Sequence, residues 1–183
     1  MKKNKPYYTL YGLNSVLAVI KSNYCSILKI DIINGSMVAK NKIFNKLKTS
    51  LCYIDKNSFK KKYLDSRNNS IAISFYYELF KRTIPQGFIK NNICFIVLDQ
   101  IKDPQNFGQI IRTAECAGID GIIYSKHNSV SITNTVLQVS QGAFLNIPLY
   151  EVINVKNEIK KMKEDGFWVI GIENGINVSN WYE

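Results

Sequence analysis

The strongest fold signal in this sequence is the stretch Leu98–Gly118, LDQIKDPQNFGQIIRTAECAG. It overlaps the end of the apolar run Ile93–Leu98 (ICFIVL), which predicts a strand buried on both faces of a parallel sheet. Polar residues predict a loop over Asp99–Asn106, and apolar residues at helical spacing predict a helix over Phe107–Ala117. A strand, a polar loop and a helix in this order indicate an α/β fold.

The same alternation continues towards the C-terminal end. Strands are predicted at Gly121–Ser125, Asn146–Val152 and Phe167–Glu173, and helices at Thr133–Ser140 and Asn157–Glu164. Together with the first strand, these elements predict half of a doubly wound sheet.

A second set of α/β elements precedes this region. Helices are predicted at Asn14–Lys21, Met37–Lys48 and Ser58–Leu64, and strands at Ser26–Ile33, Ser50–Ile54 and Ser70–Tyr76. The segment KRTIPQGFIKNN combines charges with Pro and Gly and has no sustained period, so it predicts a linker. We therefore divide the chain into a small α/β domain (1–80), a linker (81–92) and a second α/β domain (93–183).

The chain is strongly basic. Its 24 Lys and Arg residues exceed its 14 Asp and Glu residues and give a formal net charge of +10. Such a charge favours polyanionic partners through counterion release, with nucleic acid as the first candidate. The alternative is that the lysines, including the run Lys60–Lys62, are solvated helix faces, and charge alone leaves both interpretations open.

Cysteine and hydropathy patterns exclude other classes. The four cysteines lie far apart without a C-x-x-C pair and His127 is the one histidine, so we predict no metal site and expect buried, free thiols. No apolar run approaches the ~20 residues of a membrane span, and from the basic composition of the start we expect no signal peptide. These patterns predict a soluble cytoplasmic protein without membrane association.

The loop and helix after Ile93–Leu98 contain the residues suited to chemistry. Ligands of open α/β sheets bind outside the carboxyl ends of the strands, where this loop lies. Asp103 with Pro104 fixes a turn, Asn106 stands where a helix N-cap belongs, and Gly108 allows a phosphate, a ribose or a partner backbone to approach closely. Arg112 shares the polar face of the helix with Gln105 and Gln109.

Simpler interpretations remain open for these residues. Arg112 could pair with Glu115 on the same helix, and Asn106 could serve only as a cap. His127 is predicted to be a loop residue and not a general base, because no carboxylate or serine suited to a triad lies near it in sequence. Tyr7, Tyr8 and Tyr11 could stack on bases or simply pack against the fold.

Eight positions of this segment resemble the first signature of the SpoU family of RNA ribose 2′-O-methyltransferases, within the SPOUT superfamily. The signature has a D-P-x-N-x-G loop and a helix with I-x-R-T-A, matched here by Asp103, Pro104, Asn106, Gly108, Ile110, Arg112, Thr113 and Ala114. The resemblance extends to SQGA at Ser140–Ala143 and to Tyr11-Gly12, which is similar to the start of the family's N-terminal RNA-binding domain.

The resemblance implies a function and a set of site residues. Arg112 would be the catalytic arginine that helps to activate the ribose 2′-hydroxyl, and Asn106 would act beside it by placing the target nucleotide. Asp103, Gly108 and Gln109 would contribute to substrate binding. The family uses S-adenosyl-L-methionine as its cofactor, takes RNA as its substrate, with ribosomal RNA the first expectation here and tRNA the second, and forms homodimers.

Two further signatures of the family, G-x-E-G-x-G and I-P-M followed by S-L-N-V-S, do not occur in this sequence. In the family they build the C-terminal knot that binds the cofactor. We therefore expect this chain to hold the RNA-binding domain and the first portion of the SPOUT domain, with the knot and the cofactor-binding residues beyond residue 183. Two functions remain open: a methyltransferase or its N-terminal portion, and a noncatalytic RNA-binding protein.

Overall fold

The computed structural model describes residues 7–44, 47, 51–66, 69–77 and 93–172, which form two lobes, each built on its own sheet. The strands are β1 Tyr7–Tyr11, β2 Cys25–Ile33, β3 Leu51–Ile54, β4 Ile71–Tyr77, β5 Phe95–Leu98, β6 Gly121–Ser125 and β7 Leu149–Val152. The helices are α1 Leu13–Lys21, α2 Lys56–Lys62, α3 Pro104–Cys116, α4 Asn134–Val139 and α5 Val155–Glu164. The α/β class is therefore confirmed.

The N-terminal lobe has a four-stranded sheet in the order β1-β4-β2-β3. Strand β4 is antiparallel to both of its neighbours, whereas β2 and β3 are parallel. Its side chains alternate between two apolar layers: Ile73 and Phe75 belong to the core that contains Val16 of α1, and Ala72 packs with Phe59 of α2. Burial on both faces explains why the apolar strand β4 lies inside this sheet.

A buried acid lies between β2 and α2. Asp31 is 1% exposed, and its Oδ2 accepts a hydrogen bond from Tyr63 and lies 2.5 Å from Lys62 Nζ and 3.7 Å from Lys29 Nζ. Burial raises the pKa of Asp31, but the hydrogen bonds from Lys62 and Tyr63 and the charge of Lys29 outweigh it, so the pKa is lowered overall. This cluster ties α2 to the centre of the sheet.

Two elements of the N-terminal lobe differ from prediction. Strand β1 was not predicted, although its burial alternates as the pattern of YYTLY allows. The predicted helix Met37–Lys48 is wrong: its described part contains a 3₁₀ turn at Val38–Lys40. The side chain of Asn41 then accepts a hydrogen bond from Ile43 N, a local turn that competes with a helix.

The C-terminal lobe contains a parallel sheet in the order β5-β6-β7. Strand β6 is central and fully buried, whereas β5 is half-buried at the edge. The prediction that Ile93–Leu98 is buried on both faces is therefore wrong, because among the described strands β5 pairs with β6 alone.

The predicted strand Phe167–Glu173 is also wrong over its described part, since residues 167–172 form no strand. The Phe167 ring lies 6.0 Å from that of Phe95, but Trp168 and Ile172 are 96% and 95% exposed. Apolar composition alone does not make a strand, because a strand requires a hydrogen-bonding partner.

One hydrophobic core spans both lobes. Phe144 of the C-terminal lobe packs against Tyr77 and Phe75, with ring centroids 5.1 and 6.5 Å away, and its carbonyl accepts a hydrogen bond from the Tyr77 hydroxyl at 2.9 Å. The predicted linker 81–92 lies outside the described residues, so the domain boundaries stay a prediction.

Side chains of α4 also bond to the outer edge of β1. Asn134 Oδ1 accepts from Thr9 N at 3.0 Å. Gln138 accepts from Tyr11 N at 2.8 Å and donates to Tyr11 O at 3.0 Å, so its amide pairs with the strand as a neighbouring backbone would. We call Asn134 and Gln138 the amide clamp.

Two sequence-based expectations concern burial and membranes. The cysteines are free as expected, but the expectation that they are buried is wrong, since Cys52, Cys94 and Cys116 are exposed and Cys25 is half-buried. No helix in the described ranges is long and apolar enough to cross a membrane.

Candidate functional site

Helix α3 begins with a side-chain cap from Asp103. Its carboxylate accepts hydrogen bonds from Gln105 N at 3.3 Å and Asn106 N at 2.8 Å, and Pro104 occupies the first helical position. The prediction that Asn106 occupies the N-cap is therefore wrong, because Asp103 caps the helix and Asn106 lies in its first turn, exposed to solvent.

Gly108 lies where α3 crosses α4. A Cβ at this position would lie 2.7 Å from the Cβ of Val139 and 2.8 Å from the carbonyl oxygen of Val136, so a larger residue would force the helices apart. The close approach expected at Gly108 is thus made by the backbone of α4. Its assignment as a substrate-binding residue stays a prediction.

Two clefts separate the lobes around α3. The first, which we call the α1 cleft, has a volume of about 720 Å³ and lies between α1 and α3, with Lys21 and Asn146 among its lining residues. The second, the β1 cleft, has a volume of about 1040 Å³ and lies between β1 and the pair α3 and α4. The residues Arg112, Cys116 and Gln141 line both.

Arg112 is exposed at this junction. Among the described residues no carboxylate lies within ion-pair distance of its guanidinium group. The alternative pairing with Glu115 does not form, since Glu115 Oε1 instead accepts a hydrogen bond from Asn146 Nδ2 at 2.9 Å. The arginine is therefore available to an external anion or hydroxyl group.

The structure brings together only some of the predicted site residues. Gln105 and Gln109 line the β1 cleft with Arg112, as expected for one face of α3. Asn106 and Asp103 are not among the lining residues described for either cleft. At 3.6 residues per turn, Asn106 and Arg112 lie about 120° apart around the helix.

Gln141 was missed by sequence reasoning. It has a left-handed backbone (φ 51°), and Gly142 follows with φ 99°. A Cβ on Gly142 would lie 2.8 Å from the Cβ of Ala18, so this turn brings α1 close to the C-terminal lobe. The Gln-Gly pair within SQGA was the available signal. A non-glycine residue in this conformation at the junction of two clefts is a typical feature of functional sites.

The carboxyl edge of the parallel sheet forms a second polar region. Gln100 after β5 and Asn128 after β6 both have left-handed backbones (φ 55° and 58°). Ser129 Oγ is buried and has no hydrogen-bond partner within the described part of the chain. His127 lies exposed in the same loop, as predicted for a loop residue.

Comparison with known sequences gives a match over the C-terminal part of the chain, which includes α3. The sequence pattern of the SpoU rRNA Methylase family matches residues 94–183. A Staphylococcus aureus protein described as a TrmH family tRNA/rRNA methyltransferase is 44% identical over 105 residues, which are 57% of this chain and 42% of that protein. The chain thus spans less than half the length of this curated relative.

Comparison with solved structures extends to both lobes. The SpoU methyltransferase AviRb from Streptomyces viridochromogenes, in complex with the cofactor AdoMet, matches with a TM-score of 0.69 at 13% identity over 87% of this chain and 62% of AviRb. An RNA 2′-O ribose methyltransferase matches with a TM-score of 0.70 at 14% identity over 88% of this chain and 60% of that structure. These likenesses show a shared fold, and just under half of the chain, residues 94–183, matches the pattern of the SpoU methylase family.

Proposed function

We propose that this chain takes part in S-adenosylmethionine-dependent methylation of a ribose 2′-hydroxyl in RNA, with ribosomal RNA as the first candidate substrate and tRNA as the second. The observation that carries the proposal is Arg112, exposed and without an ion pair in the described structure, on the helix that bears the family signature. Relatives described as RNA methyltransferases support the same assignment.

Arg112 and Asn106 are the proposed catalytic residues. Methyl transfer requires a 2′-hydroxyl group that loses its proton and is aligned with the methyl donor. The arginine carries a fixed charge and several N–H donors, which suit a ribose oxygen or its adjacent phosphate. Asn106 lies exposed in the first turn of α3, and its side-chain amide, which has a donor and an acceptor, would place the target nucleotide there.

The two clefts do not fit the cofactor. S-adenosylmethionine, which would supply the methyl group, carries a sulfonium and an ammonium group against one carboxylate, so its net positive charge favours a site that contains a carboxylate. The described lining of the β1 cleft contains Arg112 and no carboxylate, and Glu115 in the α1 cleft is bonded to Asn146. We assign no residue of these clefts to the cofactor, and the RNA is the ligand that their charge favours.

The proposal also includes the homodimer and the cytoplasmic location that the family resemblance implies. Neither alters the assignment of Arg112.

Transfer of a labelled methyl group tests the activity. Ribosomal RNA is incubated with tritiated S-adenosylmethionine and either this chain or the longest reading frame that contains it, and the RNA is then hydrolysed with alkali. A 2′-O-methyl group blocks alkaline cleavage at its own nucleotide, so label in alkali-resistant dinucleotides shows that the methyl group is on a ribose 2′-oxygen.

Variants of the active protein separate catalysis from binding. Arg112→Ala should abolish most transfer, because the arginine acts at the ribose in the transition state, and should weaken RNA binding only by the loss of one contact in a chain of net charge +10. Lys156→Ala on α5 removes an exposed cation that does not line either cleft and should change neither. Substantial transfer by Arg112→Ala would contradict the catalytic assignment, and RNA binding without transfer by any form would favour the noncatalytic alternative.

A further inference from the structure

One wall of the β1 cleft is a polar stripe of α3. Gln105, Gln109 and Arg112 follow each other at spacings of four and three residues, so they lie above one another on one face of the helix. All three are exposed, and among the described residues neither glutamine side chain has a hydrogen-bond partner. Their amides therefore offer both donors and acceptors to a molecule in the cleft.

The opposite wall is partly aromatic and apolar. It contains Tyr11, whose ring meets Tyr63 edge-on at 5.7 Å, and Leu64, which is 85% exposed. Asn69 lines the same wall and donates its Nδ2 to Ser66 O at 2.9 Å, which leaves its Oδ1 as an acceptor. A base lying between the walls would meet the apolar wall with its face and the amides of α3 with its polar edge.

Charge and size narrow the choice of ligand. The described lining residues contain a single cation, Arg112, and no carboxylate. One positive charge with many amides suits a mostly neutral, hydrogen-bonding ligand that carries a single phosphate. The volume of about 1040 Å³ is at the upper end of the range for ligand clefts, so a whole nucleotide fits.

We propose that the β1 cleft binds an unpaired nucleobase of the RNA substrate. In this assignment Gln105 and Gln109 bond to the polar edge of the base, Tyr11 and Leu64 contact its face, and Arg112 meets the adjacent phosphate or ribose. An amide presents a donor beside an acceptor, as the edges of bases do, and proteins that recognise RNA sequence use unpaired bases stacked on aromatic side chains. The assignment rests on the proposed RNA substrate.

Gln141 gives independent support. Its left-handed backbone places a strained residue on the border of the β1 cleft, and such strain is concentrated at ligand clamps. The amide clamp fixes the wall that carries Tyr11 against α4, so the cleft is held open by hydrogen bonds between the lobes. A preorganised cleft binds its ligand without the cost of ordering it.

The test compares single-stranded with double-stranded RNA. Fluorescence anisotropy measures binding of labelled oligo(A), oligo(U) and the oligo(A)·oligo(U) duplex to this chain over a series of salt concentrations. In a duplex the Watson–Crick edge of each base is occupied by its partner and cannot reach the glutamines. The better of the two single strands should therefore bind roughly tenfold more tightly than the duplex, which is the usual contribution of one stacked base.

The matched variants are Gln105→Ala with Gln109→Ala, and Asn157→Ala on α5 as an exposed amide outside the clefts. The double glutamine variant should lose roughly tenfold in affinity for the single strand and little for the duplex, because only base contacts are removed. Its salt dependence should not change, since no charged group is lost. Asn157→Ala should leave both affinities unchanged, and circular dichroism checks that each variant is folded.

Failure of the cleft assignment differs from failure of the proposed function. If the unmodified chain binds neither single-stranded nor double-stranded RNA, both are overturned. If it binds RNA but the glutamine variant keeps its full affinity, or loses affinity equally for both forms, the nucleobase site is overturned and the RNA substrate remains. A loss confined to the single strand supports the assignment.

Discussion

The sheets of the two lobes differ in how completely they are covered. In the N-terminal lobe β4 is buried on both faces between α1 and α2, whereas in the C-terminal lobe β5 is half-buried and residues 168–172 are exposed. The described non-glycine residues with left-handed backbones, Gln100, Asn128 and Gln141, all lie in the C-terminal lobe. Among the described residues, exposed positions with a left-handed backbone are thus concentrated in the C-terminal lobe, although each lobe also has a buried central strand, β4 or β6.

The largest expected effect is at Phe144, where the lobes share a core. Phe144→Ala should lower the free energy of unfolding by about 3–5 kcal/mol, because it leaves a cavity against Phe75 and Tyr77. Urea unfolding followed by circular dichroism measures it. Ile153→Ala, at a position that is 72% exposed, is the control and should change stability by less than about 0.5 kcal/mol. A loss below about 1 kcal/mol for Phe144→Ala would show that the lobes do not depend on each other.

The second-largest effect on stability is expected at Asp31, whose contacts with Lys62 and Tyr63 lie within the N-terminal lobe. Asp31→Asn removes the charge that Lys62 and Tyr63 contact, and should cost about 1.5–3 kcal/mol at neutral pH. Because the folded-state pKa of Asp31 is lowered, its contribution is present above the ordinary carboxyl pKa and is lost as the pH falls through the folded value. Unfolding measured between neutral and acid pH should therefore depend less on pH in Asp31→Asn. The matched control, Asp165→Asn at an exposed site, should retain the full dependence.

A smaller effect is expected at the amide clamp. Gln138→Ala removes two hydrogen bonds to Tyr11 and should cost about 1–2 kcal/mol. Hydrogen exchange at Tyr11 N should become faster, while exchange within β4 should change only with global stability. Thr135→Ala, on the same helix and exposed, should affect neither. Unchanged exchange at Tyr11 N would mean that the amide does not hold the strand edge in solution.

The smallest effect on stability is expected at the functional residue. Arg112→Ala should change the unfolding free energy by less than about 0.5 kcal/mol, since the side chain is exposed and forms no ion pair with a described carboxylate. Thermal unfolding measures it. A loss above about 1 kcal/mol would show that Arg112 stabilises the fold, and Arg112 would then no longer differ from the buried groups tested above.

The parts of the fold predicted from the sequence are those fixed by neighbouring residues. Apolar spacing predicted helix α3 from Phe107 onwards, although the helix begins at Pro104 within the predicted loop, and β6 matches its predicted bounds. The helix predicted at Met37–Lys48 had suitable spacing too, but the side chain of Asn41 favours a turn. Strand β1 is short and depends on β4, more than sixty residues later, for its partner.

The features of the candidate site also divide into those that the sequence predicted and those that depend on tertiary packing. The grouping of Gln109 with Arg112 follows from their spacing on one helix, so the sequence predicted it. The contact of Gln138 with Tyr11 joins residues 127 positions apart, and the role of Gly108 depends on where α4 crosses α3. No local pattern contains such information, because tertiary packing decides it.

The exposed indole of Trp168 can serve as an intrinsic fluorescence probe. A tryptophan that is 96% exposed emits at long wavelength and is quenched by dissolved iodide, whereas a covered one is shielded. With Trp181, the second of the two tryptophans, replaced by phenylalanine, Trp168 alone reports on the surface of the C-terminal lobe. A shift of its emission to shorter wavelength then detects any molecule that covers this segment, without an added dye.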